Sequence, residues 1–311
     1  TLNPGDNPWD EIAAFGKLVV HERTPEELVL ERCRGAQIVL TNKTRLGGAI
    51  IAELPELRLI GVLATGYNVV DLEGAARLGI PVVNVPEYGS DSVAQHTIAL
   101  LLELTNGVAH YHDAVQRGAW SHSPDFTLVA QPLTELHGRS IGIVGLGSIG
   151  ARVAAVAQAL GMEILAYNPR HRVAPQGLAV RWLELDELFA QADVVSLHCP
   201  LTAQNEGMVN AARIALMQPH ALLINTARGG LVNEPDLADA LNRGVIAGAA
   251  VDVAAREPIP AESPLLSARN CIVTPHVAWA TLAARRRLMS ITAGNIAAFL
   301  AGTPRNVVNG V

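Results

Sequence analysis

Three segments place polar side chains where an apolar run ends. Ile224-Asn225-Thr226-Ala227-Arg228-Gly229-Gly230 puts an arginine just past one run. Val251-Asp252-Val253-Ala254-Ala255-Arg256-Glu257-Pro258 puts an aspartate at the end of a second and a glutamate five residues later. Thr274-Pro275-His276-Val277-Ala278-Trp279 puts a histidine just past a third. A guanidinium grips a carboxylate through two coplanar donors. An imidazole exchanges protons near neutrality, and a neighbouring carboxylate orients it. If the three runs are parallel strands, their ends face one crevice, and Arg228, Glu257 and His276 read as an anion clamp beside an oriented acid/base.

A fourth segment binds rather than reacts. Gly145-Leu146-Gly147-Ser148-Ile149-Gly150 fits G-x-G-x-x-G, follows the apolar run Ile141–Val144 and opens a helical stretch. That context is what the dinucleotide fingerprint requires. Gly145 permits the tight turn, Gly147 lets a pyrophosphate approach the backbone, and Gly150 lets helix and strand pack closely. The helix start then offers N–H groups and partial positive charge. Where an NAD binder usually places an acid, the chain has Asn168, followed by Arg170 and Arg172. Two readings stay open. Loss of the acid with gain of arginines favours a 2′-phosphate, hence NADP(H); a solvated basic loop with Asn168 on the ribose leaves NAD(H) possible.

Positioning these residues requires alternating strands and helices. The first series places strands at Lys17–His21, Gln37–Thr41, Leu59–Ala64 and Val82–Val85, with a capping box at Thr24-Pro25-Glu26-Glu27 and a short helix at Leu72–Leu78. A long helix runs from Ser90 or Asp91 to Arg117, closed by Gly118, with Ala94, Ile98, Leu101 and Leu102 on one face. It reads as an interdomain spine, and Ala119–Leu133 as a surface arm. The second series places strands at Ser140–Gly145, Glu163–Tyr167, Val194–His198, Leu222–Thr226, Ala247–Val251 and Cys271–Thr274. Helices fall at Ile149–Leu160, Glu184–Gln191, Ala211–Met217 and Glu234–Asn242, and a last one at about Thr281–Leu300. Uninterrupted apolar strands mean a parallel sheet covered on both faces. The expected fold is α/β: two doubly wound parallel-sheet domains with a cleft between them. Residues 1–92 plus 284–311 form a substrate-binding domain, and 93–283 a larger Rossmann domain for NAD(P).

Composition agrees. The chain's 311 residues suit about two domains at roughly 100–200 residues each. Half are hydrophobic and 17% charged, which excludes global disorder. A net charge of −6 argues against a nucleic-acid or anionic-membrane footprint. Cys33, Cys199 and Cys271 form no CxxC pair, which fits a reducing cytoplasm and no disulfide framework. His110 and His112, two apart, do not share a helix face, so no metal site is expected. Arg285, Arg286 and Arg287 read as a solvated face or interdomain pairs. No apolar run is long enough to span a bilayer and no signal-peptide pattern opens the chain, which starts at Thr1 as if processed or trimmed.

With these motifs in order, the chain resembles the D-isomer-specific 2-hydroxyacid dehydrogenase family over nearly its whole length. The Gly145–Gly150 loop, His198-Cys199-Pro200-Leu201-Thr202, Asn225–Gly230, and Asp252…Glu257-Pro258 followed by Pro275-His276 carry the resemblance. Ala64-Thr65-Gly66-Tyr67-Asn68, Ser92-Val93-Ala94-Gln95-His96-Thr97 and His276-Val277-Ala278-Trp279-Ala280-Thr281 look most like the glycerate dehydrogenase or hydroxypyruvate reductase branch. The resemblance implies that Arg228 binds the carboxylate and carbonyl oxygen of a small 2-oxo acid. His276 would be the acid in reduction and the base in oxidation, with Glu257 holding its imidazole and favouring the protonated form. Backbone N–H groups at Thr65 and Gly66 would bind the substrate carboxylate, and Trp279 would wall the pocket. Ser148 and Ile149 would lie on the pyrophosphate; Cys199, Pro200, Asn205, Thr226, Ala227 and Ala278 would line the cofactor; Asp252 would accept from the nicotinamide carboxamide. A homodimer is implied, with the Gly118–Leu133 arm and the long helix as contacts. Two departures stand out. Many relatives carry one more strand before the segment matching Thr1–Pro4, and Gln95 stands where many carry Glu. A rival reading, a corepressor-like protein that senses NAD(P) without turnover, shares the fold but usually carries partner-docking extensions.

Overall fold

The computed structural model describes residues 2–170 and 172–311. It divides into two compact units, Thr1–Gly89 with Trp279–Val311, and Ser90–Ala278.

The first unit is built on three parallel strands in the order β1 (Ile38–Thr41), β2 (Leu59–Val62), β3 (Val82–Val83). β2 is central and buried along its whole length. Its residues alternate between two cores: Leu59 belongs to one with Val83 and Val85, Ile60 and Val62 to another with Val29, Leu46 and Ile51. The small helices α1 (Asp10–Ala13), α2 (Val29–Cys33), α3 (Gly48–Ala52) and α4 (Leu72–Arg77) complete the covering. So does the C-terminal helix, Leu282–Leu300, which brings Leu288, Met289 and Ile296 into the Leu59 core.

Three expectations fail in this unit. Lys17–His21 forms no strand; Val19 is 62% exposed, and no described strand pairs with the segment. Backbone groups left outside a ladder gain nothing from the extended conformation, so apolar composition alone does not make a strand. Thr24 caps no helix: Pro25 holds the N-cap position of a 3₁₀ turn, and the Thr24 hydroxyl accepts from Arg32 instead, at 2.9 Å. Arg285 is no solvated residue. It is 7% exposed and forks onto Asp6 at 2.5 and 2.8 Å, tying the N-terminal segment to the last helix.

The second unit holds seven parallel strands: β4 (Ser140–Val144), β5 (Glu163–Tyr167), β6 (Val180–Trp182), β7 (Val194–Leu197), β8 (Leu222–Asn225), β9 (Gly248–Val251) and β10 (Cys271–Val273). Their order is β10-β9-β8-β7-β4-β5-β6, a doubly wound Rossmann sheet whose direction of winding reverses between β4 and β7. Side chains alternate between two cores. Ile141, Ile143, Ile164 and Ile224 point to α5 (Ser90–Asn106) and α7 (Ser148–Ala159). Val144, Leu165, Leu197 and Leu223 point to α8 (Leu185–Gln191), α9 (Ala211–Ile214) and α10 (Glu234–Asn242). Both faces are covered, which is why the central strands read as largely apolar runs. A capping box does occur here, at Glu184 and Glu187.

The expected single helix from Ser90 to Arg117 is two, α5 and α6 (Val108–Gln116). Gly107, at φ 56°, separates them in the left-handed region that closes helices. α5 belongs to this unit, where it packs on α7, β8 and β9. The Ala119–Leu133 arm has no regular structure and is tied by Tyr111 Oη to Gln131 O and Trp120 Nε1 to Phe126 O, each 2.9 Å.

At the strand starts, Asp193 accepts from Ser140 N (2.7 Å), Ser140 Oγ (2.8 Å), Arg139 (3.1 Å) and His220 (2.6 Å). Burial alone raises its pKa, but these bonds outweigh burial and bring it from 3.8 to about 2. A depressed carboxylate contributes stability that is present above its unfolded value and lost as pH falls through the folded one. Asp193→Asn is therefore expected to cost about 2 kcal/mol at neutral pH. The gap to wild type should narrow as pH falls from about 4 towards 2. Denaturant melts at pH 7 and pH 3 check this; a gap of equal size at both would reject it.

Candidate active site

The register of the second sheet lines up its strand ends. Tyr167 pairs with Val144, Val144 with Leu197, Leu197 with Asn225, Asn225 with Val251, and Val251 with Val273. The chain leaves this row into the loops that carry Asn168, Gly145, His198, Arg228, Asp252 and His276. Parallel strands put all of these loops on one edge, where open α/β sheets take their ligands.

The glycine loop fits a dinucleotide. Gly145 has φ 101°, and a Cβ on it would stand 2.7 Å from Cys199 N and 2.8 Å from His198 C. A Cβ on Gly150 would meet Ile143 Cγ2 at 2.9 Å, so α7 packs on β4 only without one. Gly147 differs: nothing lies within 4 Å of where its Cβ would be. That space opens at the N-terminus of α7, where N–H groups attract phosphate. The Ser148 hydroxyl donates to Ser90 Oγ at 3.0 Å and accepts from Arg152 at 2.9 Å. Ile149 packs part-buried against the α5/α7 core.

Asn168 braces this loop, accepting the Leu146 N–H at 2.7 Å. Arg170 is exposed, whereas Arg172 pairs with Glu184 at 2.6 Å. The two arginines, equivalent in the sequence, differ in their commitments. Asn205 also has a local duty: it accepts from Thr202 N at 2.7 Å and donates to Pro200 O at 2.8 Å, closing the Cys199–Asn205 loop. Burial pushes the Cys199 thiol up to about 11 and the His198 imidazole down to about 4, so both are neutral at pH 7.

His276 stands at φ 55°, a left-handed conformation uncommon outside glycine. Its turn is held by the residue at the end of β9. His276 N donates to Asp252 O at 2.8 Å. The Asp252 carboxylate, 1% exposed, accepts from Val277 N and Ala278 N at 2.9 Å each and from Thr274 Oγ1 at 2.6 Å. Beyond it, His96 Nε2 lies 3.1 Å from Thr274 Oγ1. Asp252 thus shapes the His276 turn. On the imidazole, Nδ1 meets Glu257 Oε2 at 2.7 Å. Arg228 is exposed at the mouth of β8. Its loop is fixed by Asn225, buried at the strand end, which donates to Arg228 O at 2.9 Å and accepts from Ala227 N at 3.0 Å. Thr226 Oγ1 bonds Thr97 Oγ1 of α5 at 2.9 Å. The second unit therefore brings Arg228, Asp252, Glu257, His276 and Ala278 to the edge that carries Gly145–Gly150. Among its described residues no three His, Cys, Asp or Glu gather as metal ligands.

The other unit carries Thr65, Gly66 and Trp279. The turn after β2 is pinned by Thr65 Oγ1 donating to Val85 O at 3.0 Å and Asn84 Nδ2 donating to Thr65 O at 2.8 Å. Trp279 packs edge-on against Tyr88, centroids 6.1 Å apart.

A family model for the NAD-binding domain of D-isomer specific 2-hydroxyacid dehydrogenases matches residues 98–278. The chain belongs to this family. A hydroxypyruvate reductase of Blautia hydrogenotrophica is 47% identical over 99% of the chain and 97% of its own length. A glycerate dehydrogenase of Methylorubrum extorquens is 42% identical over 92% and 89%. Among solved structures, an NADPH-dependent glyoxylate/hydroxypyruvate reductase from Sinorhizobium meliloti, in complex with citrate, superposes with a TM-score of 0.84 at 30% identity, covering 96% of this chain and 94% of that one. This dehydrogenase is accordingly an NAD(P)-dependent oxidoreductase acting on 2-hydroxy acids. No described helix is long and apolar enough to cross a membrane.

Proposed function

We propose that this dehydrogenase reduces hydroxypyruvate or glyoxylate to the corresponding 2-hydroxy acid, D-configured where the carbon is chiral, with NADPH favoured over NADH. The observation that carries the chemistry is the His276–Glu257 pair on the edge that also holds Arg228. Glu257 occupies Nδ1, which leaves Nε2 to deliver a proton to the carbonyl oxygen. Arg228 holds the substrate carboxylate and, with the imidazolium, offsets the negative charge that grows on oxygen. A bound nicotinamide supplies the hydride. The first unit serves as the substrate-binding domain, with Thr65 and Gly66 N–H groups on the carboxylate and Trp279 as a wall. In the second, Gly147, Ser148 and Ile149 take the pyrophosphate, Cys199, Pro200, Thr226, Ala227 and Ala278 line the cofactor, and Asp252 faces the carboxamide. The enzyme works as a cytoplasmic homodimer joined through α6 and the Ala119–Leu133 arm, whose Phe126 and Val129 side chains are exposed.

Cofactor choice rests on Asn168 and Arg170. Asn168 presents no charge to a 2′-phosphate, and its bond to Leu146 N is one that Asp would also make. Arg170 is the favoured phosphate contact, and Arg172 the second, since it would first leave its exposed pair with Glu184. Such a charged hydrogen bond contributes about 1.5–3 kcal/mol, roughly 10- to 150-fold in affinity. The test is a panel of 2-oxo acids assayed with NADPH and NADH in parallel, in wild type and in Asn168→Asp with Arg170→Ala. Hydroxypyruvate and glyoxylate should lead with NADPH, and the double variant should reverse the cofactor order. A wild type that prefers NADH, or an unmoved ratio in the variant, rejects the cofactor assignment. Cofactor binding with no turnover of any 2-oxo acid rejects the enzyme reading.

A further inference from the structure

Glu257 reaches His276 from a loop whose side chains, from Ala255 to Pro258, are exposed. Packing alone places an exposed carboxylate loosely, so hydrogen bonds to the loop backbone bear on where it sits. Two adjacent N–H groups show how. Ala254 N donates to Glu257 Oε1 at 3.1 Å, which leaves Oε2 for His276. Ala255 N donates to a different carboxylate, Glu234 Oε1, at 2.6 Å. Ser263 Oγ lies 3.5 Å from Glu234 Oε2.

Glu234 is well placed to act as an anchor. It is the first residue of α10, whose N-cap is Asn233, accepting from Asp236 N at 3.1 Å. Leu237, Ala238, Ala240 and Leu241 bury the helix in the core. A carboxylate at a helix start is favoured by the dipole. That charge is felt nearby: burial first, and Glu234 second, push the Cys271 thiol up to about 11.

We propose that Glu234 is a positioning residue for the acid/base pair, holding the Ala254–Glu257 loop by its backbone so that Glu257 meets Nδ1 of His276. The proposal rests on the reading of Glu257 and His276 given above. Charged or titratable groups near the pair among the described residues of this unit include Arg256 next to it on the loop, Arg228 on the neighbouring loop, Asp252 with His96 beyond Thr274, and Cys271 on β10. None of these takes the Ala255 N–H, which Glu234 holds.

Reduction of hydroxypyruvate with NADPH is measured against pH for wild type, Glu257→Gln, Glu234→Ala, Glu234→Asp and Glu234→Gln. Reduction needs an imidazolium, so the rate falls on the alkaline side. Loss of the carboxylate partner in Glu257→Gln is expected to move that limb to lower pH, and this variant is the reference for the others. Glu234→Ala is expected to lower kcat by about 10- to 50-fold, as misplaced catalytic groups do. Its KM and NADPH Kd should change much less, and its alkaline limb should move the same way as in Glu257→Gln. Glu234→Gln, whose amide oxygen can still accept from Ala255, should recover most of both. Glu234→Asp keeps the charge and the helix start but withdraws the carboxylate, and it should shift like Glu234→Ala; it carries the test if the alanine variant does not fold. A wild-type limb in Glu234→Ala or Glu234→Asp, while Glu257→Gln moves it, overturns the proposal and leaves the pair intact. An unmoved limb in Glu257→Gln overturns both.

Discussion

His276→Ala reduces 2-oxo acids about 10²–10⁴-fold more slowly than wild type, the usual share of general acid catalysis. The fold and cofactor affinity persist, because the turn is held by main-chain bonds that alanine keeps. His276 N still reaches Asp252 O, and Val277 N and Ala278 N still reach the Asp252 carboxylate. The left-handed backbone at 276 costs alanine about 1–2 kcal/mol. His276→Asn is the control, since asparagine tolerates that conformation and cannot shuttle the proton. Both variants should lose kcat alike and bind NADPH like wild type. Retention of more than about half of wild-type kcat in either would remove His276 from the proton transfer.

Burial on both faces makes the second unit's sheet legible in the sequence. Val194–Leu197 and Leu222–Asn225 are buried throughout and mostly apolar, Ser196 and Asn225 excepted, and their ends mark the loops that matter. Edges are less legible. β6, with Arg181 at its centre, is only partly buried and shows no apolar run, while Val19 and Val20 look like strand residues and are exposed. Helix breaks hide as well. Gly107 is one glycine in an otherwise helical pattern, and its left-handed turn makes two helices of one. In the site, the charged residues are visible because Arg228, Glu257 and His276 sit just past strand ends. What holds them is not. Asp252 reaches Thr274, Val277 and Ala278 across 22 to 26 residues, and no local pattern announces bonds of that span. Asn225 could have been suspected: a buried amide at a strand end has to satisfy its hydrogen bonds somewhere, and a loop that must be rigid is the place. Arg170 and Arg172 carry equal weight as sequence, and only the ion pair to Glu184 separates them.

Gly229→Ala abolishes most activity, although the change adds only one methyl group. Gly229 is buried at the mouth of β8, immediately after Arg228. A Cβ there would land on the carbonyl carbon and oxygen of Ala254 and on Ala255 N, well inside contact distance. These are backbone atoms, with no rotamer to turn aside. The two loops must separate, and each carries part of the chemistry. One presents Arg228; the other presents Glu257 to His276 and gives Ala255 N–H to Glu234. Overpacking of this kind costs about 1–3 kcal/mol of stability. Misplacing catalytic groups by about 1 Å costs on the order of 10²-fold in rate. The expected result is a folded protein with NADPH affinity near wild type and kcat/KM for 2-oxo acids down by about 10²-fold or more. Gly230→Ala is the comparison, because its Cβ would meet the Leu201 side chain, whose Cδ2 lies 2.8 Å away and can swing aside. A mild loss there beside a severe one at 229 places the requirement on the contact between the two loops. Equal losses would mean that the pair of glycines is needed for chain flexibility instead.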